Sequence, residues 1–474
     1  MTHSNVIREL QDIVGPAGYL ESPGDLAPFL TEWRGLYRGV ADLVLLPASV
    51  EEASAILGLC YQRGIGVVPQ GGNTGLVGGA VACSTPERPQ VVVSARRMAA
   101  IRDLDPDNYT ITAEAGCVLA SLQSAAAEAD RFFPLSLASE GSCQLGGNLS
   151  TNAGGTNVLR FGTARELVLG LEVVLPDGRV FDGLRALRKD NSGYDLKQLF
   201  IGAEGTLGFI TAATCKLYPR PRGIATALVA VPDPQAAIAC HSRARLALGD
   251  ELIAFELISR MALSFVLQYL PAARDPLAQP AQWYVLLEIA TARDQASAEE
   301  ELDTFLADCL ESGLILDGVV ARSGTQRDDL WALRHNISDA QKIGGASVKN
   351  DISVPVSRVG AFIREAEKRV CTLLPGVRVL AFGHVGDGNI HFNLTQPEGM
   401  PPAEFLGMWA NLCGEVNSIA VRLGGSFSAE HGIGLLKAPE LRRLRSAVEL
   451  DLMHTIKRAL DPNSIMNPGK ILGD

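Results

Sequence analysis

The chain has 474 residues, more than one hydrophobic core normally serves, so two or three domains are expected. Its 47% hydrophobic and 20% charged content, with 48 glycines, indicates a globular α/β or α+β enzyme and excludes a disordered or fibrous chain; a net charge of −11 without a basic face argues against nucleic acid. Nine cysteines, odd in number, scattered and never in a CxxC, read as buried thiols in a reducing compartment.

The N-terminus, MTHSNVIRELQDIVG, runs directly into a helix-like amphipathic pattern. It lacks the apolar core of a secretory signal and the Arg/Ser richness of a transit peptide. No apolar run approaches the roughly 18 residues of a membrane span, so a cytoplasmic location without a span is expected. TEWRGLY at 31–37 precedes the first clear strand, Ala41 to Leu46; Pro47 and Glu51-Glu52 then open a helix expected to reach about Arg63. The next strand, Gly66 to Pro69, feeds Gln70-Gly71-Gly72-Asn73-Thr74-Gly75-Leu76-Val77-Gly78-Gly79. Such a loop lets successive backbone N–H groups face a phosphate, with a tight turn as the plain alternative. It is neither a Rossmann nor a Walker A site: Pro69 stands where the third glycine belongs, and Asn467-Pro468-Gly469-Lys470 lacks the Ser/Thr.

Segment 138–163, ASEGSCQLGGNLSTNAGGTNVLRFGT, is too poor in side chains to build a core. It reads as a cofactor-wrapping loop or a low-complexity linker; Leu145, Leu149 and Val158 interrupt it regularly, which favours the loop. A strand from Leu167 to Leu175, the turn Pro176-Asp177-Gly178 and a return strand from Arg179 to Phe181 follow. A third glycine region, KDNSGYDLKQLFIGAEGTLGFI, occupies 189–210. After the Pro-Arg-Pro-Arg break near Arg220-Pro221 come helix-like and strand-like sets, including 233–247, 254–269 and 296–312. In WALRHNIS, Arg334 and Ser338 are four apart and hence expected on one helical face. Taken alone, such an arginine reads as a solvated charge.

LAFGHVGDGNIHFNL at 380–394 has apolar-alternating arms around Asp387-Gly388, a strong hairpin signal. A two-residue turn there sets His384 opposite His391, with Cβ atoms roughly 4.5–5.5 Å apart. Two such imidazoles can share a divalent metal at about 2.0–2.1 Å per nitrogen, or simply stack on a polar sheet face. Asn393, two residues past His391, projects from the same face. In GGSFSAEHGIGLLK at 424–437, Glu430 and His431 stand side by side among Gly424, Gly425, Gly432 and Gly434. Either this is a solvated loop, or Glu430 joins His384 and His391 as an N,N,O set suited to zinc or another transition metal, with His431 beside it for proton transfer.

PQGGNTGLVGG, GGNLSTNAGG, KDNSGYDLKQLFIGAEGTLG, GHVGDGNIHFN, SAEHGIG and LDPNSIMNPGKIL occur in this order. Together they resemble the FAD-dependent D-2-hydroxy-acid dehydrogenases, of the vanillyl-alcohol-oxidase or PCMH-type FAD fold, from about Trp33 to Leu472. The resemblance implies an α+β architecture: a PCMH-type FAD-binding domain at 1–219, an α+β cap for substrate at 220–424, and a C-terminal segment, 425–474, returning to the FAD domain. It places FAD on Pro69, Gln70, Gly71, Gly72, Asn73, Thr74, Gly75, Ser139, Gly141, Gly146, Gly147, Asn148 and Asn152, with Asn467 and Lys470 near the isoalloxazine end. Asn73 ends the neighbourhood where some relatives carry a flavin-linking histidine, so the flavin is expected to be non-covalent. His384, His391 and Glu430 match the family's metal ligands, with zinc expected but manganese or cobalt not separated from it.

Arg334, Ser338 and Lys349 match residues that hold the far carboxylate of the substrate, Arg supplying a bidentate fork. Ser338 stands where the family commonly has Thr. These cations lean the substrate toward D-2-hydroxyglutarate, with D-lactate or D-malate as alternatives. The implied reaction deprotonates the hydroxyl with metal assistance, His431 being the base and Asn393 helping to hold the carboxylate, while flavin N5 takes the hydride. An electron-transferring flavoprotein or quinone is the expected acceptor, and a homodimer the expected assembly. A transferase of the same fold, as in alkylglycerone-phosphate synthesis, should carry a run of histidines, and this sequence has none. A flavin-binding subunit that only passes electrons leaves His384, His391 and Glu430 without a role.

Overall fold

The computed structural model describes residues 3–473; Met1 and Thr2, at the start of the expected N-terminal helix, and Asp474 lie outside the described residues. Contacts divide the chain into two compact units. The first comprises the chain up to Gly155, Gly162–Arg220 and the stretch from Glu430 onward; the second comprises Thr156–Phe161 and Pro221–Ala429.

The first unit holds a four-stranded sheet in the order Tyr19–Leu20, Val44–Leu45, Gln90–Ser94, Gly66–Gln70, parallel except at its Tyr19–Leu20 edge. The helix Val50–Arg63 makes the crossover into Gly66–Gln70. Ser49 caps its first turn by accepting from the Glu52 amide, and Gly64 ends it at φ +67°, a left-handed position that glycine adopts without a Cβ penalty. Only Val44–Leu45 of the expected 41–46 strand is laddered. A second, fully antiparallel sheet runs Ile101–Asp105, Thr110–Glu114, Phe209–Lys216, Val168–Val174, Val180–Gly183. Its last pair is the hairpin expected around Pro176-Asp177-Gly178, with Gly178 at φ +88°. The C-terminal stretch returns to this unit, as the Val67 amide donates to the Ile465 carbonyl at 2.7 Å and the Asn467 amide donates to the Val67 carbonyl at 2.7 Å.

The second unit is built on one antiparallel sheet in the order Asp317–Val320, Gly223–Val231, Trp283–Thr291, Leu252–Ser259, Arg378–Gly383, Asn389–Thr395, Ser347–Val348, with Asp351–Ser353 also paired to Asn389–Thr395. Alternation along the strands gives it two apolar faces. Phe255, Leu257, Leu287, Phe392 and Leu394 meet the helices Pro234–Ala247, Gln295–Glu311, Val359–Leu373 and Trp409–Arg422 on one side. On the other side Ile258, Tyr284, Leu286, Leu380 and Phe382 meet Arg260–Tyr269, Gly324–His335 and Ile337–Ile343. The unit runs to Ala429 because the residues past 424 are tied to its sheet: Ser353 and Ser426 exchange both backbone hydrogen bonds, and the Ala429 amide donates to the Asp351 carbonyl. Thr156–Phe161 belongs here too, with Arg160 Nη1 donating to the Ala290 carbonyl at 2.7 Å.

His241, on Pro234–Ala247, packs against Phe255 with ring centroids 5.1 Å apart at 60°, and its buried Nε2 has no hydrogen-bond partner among the described residues. Burial, helped by Arg245, lowers its pKa from 6.5 to about 4. The unfolded chain therefore binds the extra proton between those values, and stability falls as the pH drops through that window. Wild-type stability should lose on the order of 2–3 kcal/mol more than His241→Gln between pH 7 and pH 4. Urea melts at the two pH values check this; equal losses in both proteins would contradict it.

Candidate active site

Every residue expected to hold FAD lies in the first unit. The loop after Gly66–Gln70 lies flush on segment 141–147 through glycine. A Cβ on Gly72 would stand 2.2 Å from the Ser142 carbonyl oxygen, and one on Gly71 would stand 3.3 Å from the Gly147 nitrogen. Gly146 is equally confined, its added Cβ meeting the Ala115 Cβ at 2.7 Å. Asn73, at φ +53°, donates through Nδ2 to the Pro28 and Thr31 carbonyls, each at 3.0 Å. Gln70 Nε2 donates to the Phe29 and Ala80 carbonyls. Ser139 and Gly141 sit in the turn that enters this segment, the Ser139 carbonyl accepting from the Ser142 and Cys143 amides. Asn148 lies on the short helix Leu145–Ser150, and Asn152 follows it at φ +50° with Oδ1 accepting from the Arg165 amide.

Asn467, at φ +43°, donates through Nδ2 to the Gly79 carbonyl at 2.8 Å and the Glu204 carbonyl at 2.7 Å; Lys470 is buried three residues on. The Oδ1 of Asn467 and the Oε1 of Gln144 are buried without a partner among the described residues. A glycine-lined cradle with buried amide oxygens left to be satisfied fits a polar cofactor. Gln144 was not singled out from sequence.

The segment bearing Glu430 and His431 is held in the same unit by a second overlooked residue, Glu204. Its carboxylate accepts the Ile433 amide at 2.7 Å and the Gly434 amide at 2.8 Å. Burial pushes the Glu204 carboxyl above the ordinary value, against the pull of those two amides and of Lys437. Gly432 and Gly434 have φ of +78° and +50°, and an added Cβ would stand 2.7 Å from Glu204 Oε1 and 2.3 Å from the Val77 carbonyl oxygen. The glycines of HGIG thus let the loop wrap a carboxylate. Glu430 Oε1 accepts the Gly155 amide at 2.8 Å.

In the second unit the hairpin register differs from the expected one. Phe382, not His384, is the partner of His391, and the connection runs from His384 to Gly388. The Gly388 amide returns to the Val385 carbonyl, and the His384 carbonyl accepts both the Asp387 and Asn389 amides. Val385 is wholly buried, and the Gly386 amide donates to the Phe255 carbonyl. The connection is thus tied to the Leu252–Ser259 strand, a partner that the Asp-Gly signal does not report. The imidazoles still come together, with ring centroids 5.8 Å apart at 74°. Asp351 pairs with His391 from the other side, its Oδ1 3.8 Å from Nδ1 and accepting Asn389 Nδ2 at 2.9 Å.

Behind His384 lies Glu256, 1% exposed on Leu252–Ser259. Its Oε1 is 2.6 Å from His384 Nδ1, and its Oε2 accepts Arg334 Nε at 2.7 Å. Burial alone would raise the Glu256 carboxyl, but His384 and Arg334 outweigh it and hold it at about 2. The carboxylate is therefore ionised and orders both neighbours.

Arg334 is 7% exposed, with its guanidinium 4.9 Å from the Phe382 ring. Its terminal nitrogens have no hydrogen-bond partner among the described residues. Ser338 does not share its face: the helix is interrupted at Asn336 between Gly324–His335 and Ile337–Ile343, and Ser338 is exposed. Asn393 is buried on the His391 face and donates to Gln341 Oε1 at 3.1 Å. Lys349, half-buried, lies between the Ser347–Val348 and Asp351–Ser353 strands. Glu256, Asp351 and Gln341 were not singled out from sequence. A lone acid in the apolar strand LIAFELIS is a signal that could have found Glu256, because a buried charge needs partners.

Two family models match the chain. Residues 41–183 match the family described as FAD binding domain, and 220–471 match FAD linked oxidases, C-terminal domain. A probable mitochondrial D-2-hydroxyglutarate dehydrogenase of Oryza sativa subsp. indica is 40% identical over 474 residues, covering 99% of this chain and 82% of that protein. The D-2-hydroxyglutarate dehydrogenase of Stutzerimonas stutzeri is 37% identical, covering 99% of each chain. A D-2-hydroxyglutarate–pyruvate transhydrogenase of Saccharomyces cerevisiae is 38% identical, over 95% of this chain and 90% of its own. Substrate-bound p-cresol methylhydroxylase shares the fold, with a TM-score of 0.76 at 16% identity, covering 99% of this chain and 97% of that one. An alkyldihydroxyacetonephosphate synthase does so with a TM-score of 0.73 at 18% identity, over 99% and 86%.

Proposed function

Because this chain belongs to the D-2-hydroxyglutarate dehydrogenase family of FAD-linked oxidases, we propose that it oxidises D-2-hydroxyglutarate to 2-oxoglutarate. The observation that carries the substrate reading is Arg334, buried, braced through Nε by Glu256, and with its terminal nitrogens unengaged. An arginine so fixed offers a preorganised fork to a carboxylate. Lys349 is proposed to help at that carboxylate, and Asn393 at the one beside the hydroxyl.

Bound FAD, held non-covalently by the 69–75 and 139–152 loops with Asn467 and Lys470, supplies the acceptor for the hydride on C2. A divalent metal, zinc by our reading, would be held by His384, His391 and Glu430 and would supply Lewis acidity toward the substrate's oxygens. Support for that ligand set comes from its chemistry. His384 is backed by a carboxylate as metal-binding imidazoles usually are, His391 lies beside it, and Glu430 follows Ala429, whose amide is tied to the residue opposite His391. His431 takes the hydroxyl proton on an imidazole nitrogen and carries it away from the site. The proposed acceptor is an electron-transferring flavoprotein or quinone, and the proposed assembly a cytoplasmic homodimer. Among the described residues no helix is long and apolar enough to cross a membrane.

Arg334→Met tests the substrate reading. Losing charge-assisted hydrogen bonds of about 1.5–3 kcal/mol should lower kcat/KM for D-2-hydroxyglutarate roughly ten- to 150-fold. D-lactate, which has no far carboxylate, should be affected far less. Dye-linked assays on D-2-hydroxyglutarate, D-malate and D-lactate measure this, and an equal loss on all three would refute the assignment.

A further inference from the structure

Glu256 does more than neutralise a buried arginine. The pairs Leu257 with Gly383 and Ile258 with Phe382 continue to Glu256 with His384, one register step past the last ladder pair. The loop residue His384 therefore meets a strand carboxylate at a fixed position. The same carboxylate's other oxygen takes Arg334 Nε, from a helix on the same face of the sheet. We propose that Glu256 is a positioning residue serving two partners at once: it keeps the proton of His384 on Nδ1, so that Nε2 is presented as a metal donor, and it sets Arg334 with its terminal nitrogens outward for a carboxylate. One buried side chain then couples metal affinity to recognition of a dicarboxylate. This inference rests on the metal and substrate reading above.

Glu256→Gln separates the two duties because an amide has one oxygen and one NH2. With its oxygen on Arg334, the NH2 faces His384 and forces Nδ1 to accept, which moves the imidazole proton to Nε2 and blocks the donor. With its oxygen on His384, the NH2 opposes Arg334 Nε and the fork is displaced. The experiment titrates zinc by calorimetry into metal-stripped, FAD-loaded wild type and Glu256→Gln, with kcat/KM measured on D-2-hydroxyglutarate and D-lactate. The expected result is a roughly ten- to hundredfold weaker zinc Kd, or a ratio of hydroxyglutarate to lactate kcat/KM at least tenfold lower. Unchanged affinity together with an unchanged ratio overturns the inference.

Should the variant not fold, the wild-type holoenzyme itself decides. With 15N-labelled histidine, and His384 assigned by the loss of its signals in His384→Gln, the inference requires the proton on Nδ1; a proton on Nε2 overturns it. Wild type that takes up no zinc and oxidises none of the acids would sink the proposed function and this inference together. Wild type that does both while Glu256→Gln matches it sinks the inference alone.

Discussion

His431→Ala is expected to lower kcat by about 10²–10⁴-fold, the usual contribution of a positioned general base, while FAD content stays at the wild-type level. Several contacts that hold the loop are ones the substitution does not touch. Glu204 holds the Ile433 and Gly434 amides, and Glu430 accepts the Gly155 amide. The lost function is then proton transfer, not folding. Single-turnover reduction of the flavin, compared with wild type in absorbance and melting temperature, separates the two. A variant that reduces its flavin within a fewfold of the wild-type rate removes His431 as the base.

Gly72→Ala should leave a folded protein that purifies with little FAD. Its Cβ would come within 2.2 Å of the Ser142 carbonyl and 3.0 Å of the Cys143 Cα, both backbone atoms that no rotamer change can move aside. The 71–75 loop must lift from segment 141–147. Overpacking of this kind costs about 1–3 kcal/mol, roughly a five- to 150-fold loss in affinity if it falls on the bound state. Gly75, with open space around its added Cβ, is the control, and alanine there should retain flavin. The flavin-to-protein absorbance ratio after gel filtration reads the difference; full occupancy in Gly72→Ala would mean that the two loops do not form the cradle.

Local signals carried much of the fold. The capped helix Val50–Arg63, the strand into the glycine loop and the Pro176-Asp177-Gly178 hairpin depend on neighbours in sequence, and each forms close to where its residues suggest. The 384–388 connection shows where that reasoning stops. Asp387-Gly388 favours a two-residue turn, yet the Gly386 amide bonds to the Phe255 carbonyl of a strand distant in sequence, and the ladder ends at the Phe382–His391 pair. Arg334 and Ser338 diverge for a similar reason: spacing of four puts residues on one face only if the helix is continuous, and Asn336 interrupts it.

Most of the site's second layer was invisible locally. Glu256 and His384 are 128 positions apart, Glu204 and Gly434 are 230 apart, and only the folded chain brings them together. A weak trace existed in composition. Glu256 and Glu288 are the lone acids of LIAFELIS and WYVLLEIAT, and each proves to be buried with cations. Glu288 accepts Thr226 Oγ1, two Arg327 nitrogens and Trp331 Nε1, so all its neighbours lie within the fold. Glu256 instead shares its oxygens between a histidine and an arginine whose terminal nitrogens stay unengaged. Burial alone would not have told the structural acid from the one at the candidate site.

The central claim is that flavin and metal act together on a D-2-hydroxy acid, and anaerobic mixing of the FAD-loaded protein with D-2-hydroxyglutarate, before and after thorough chelation, tests it most directly. Rapid bleaching of the flavin absorbance that chelation abolishes and added zinc restores is the predicted result. Bleaching that survives complete metal removal would contradict the role given to His384, His391 and Glu430, and no bleaching by any D-2-hydroxy acid would contradict the assigned reaction itself.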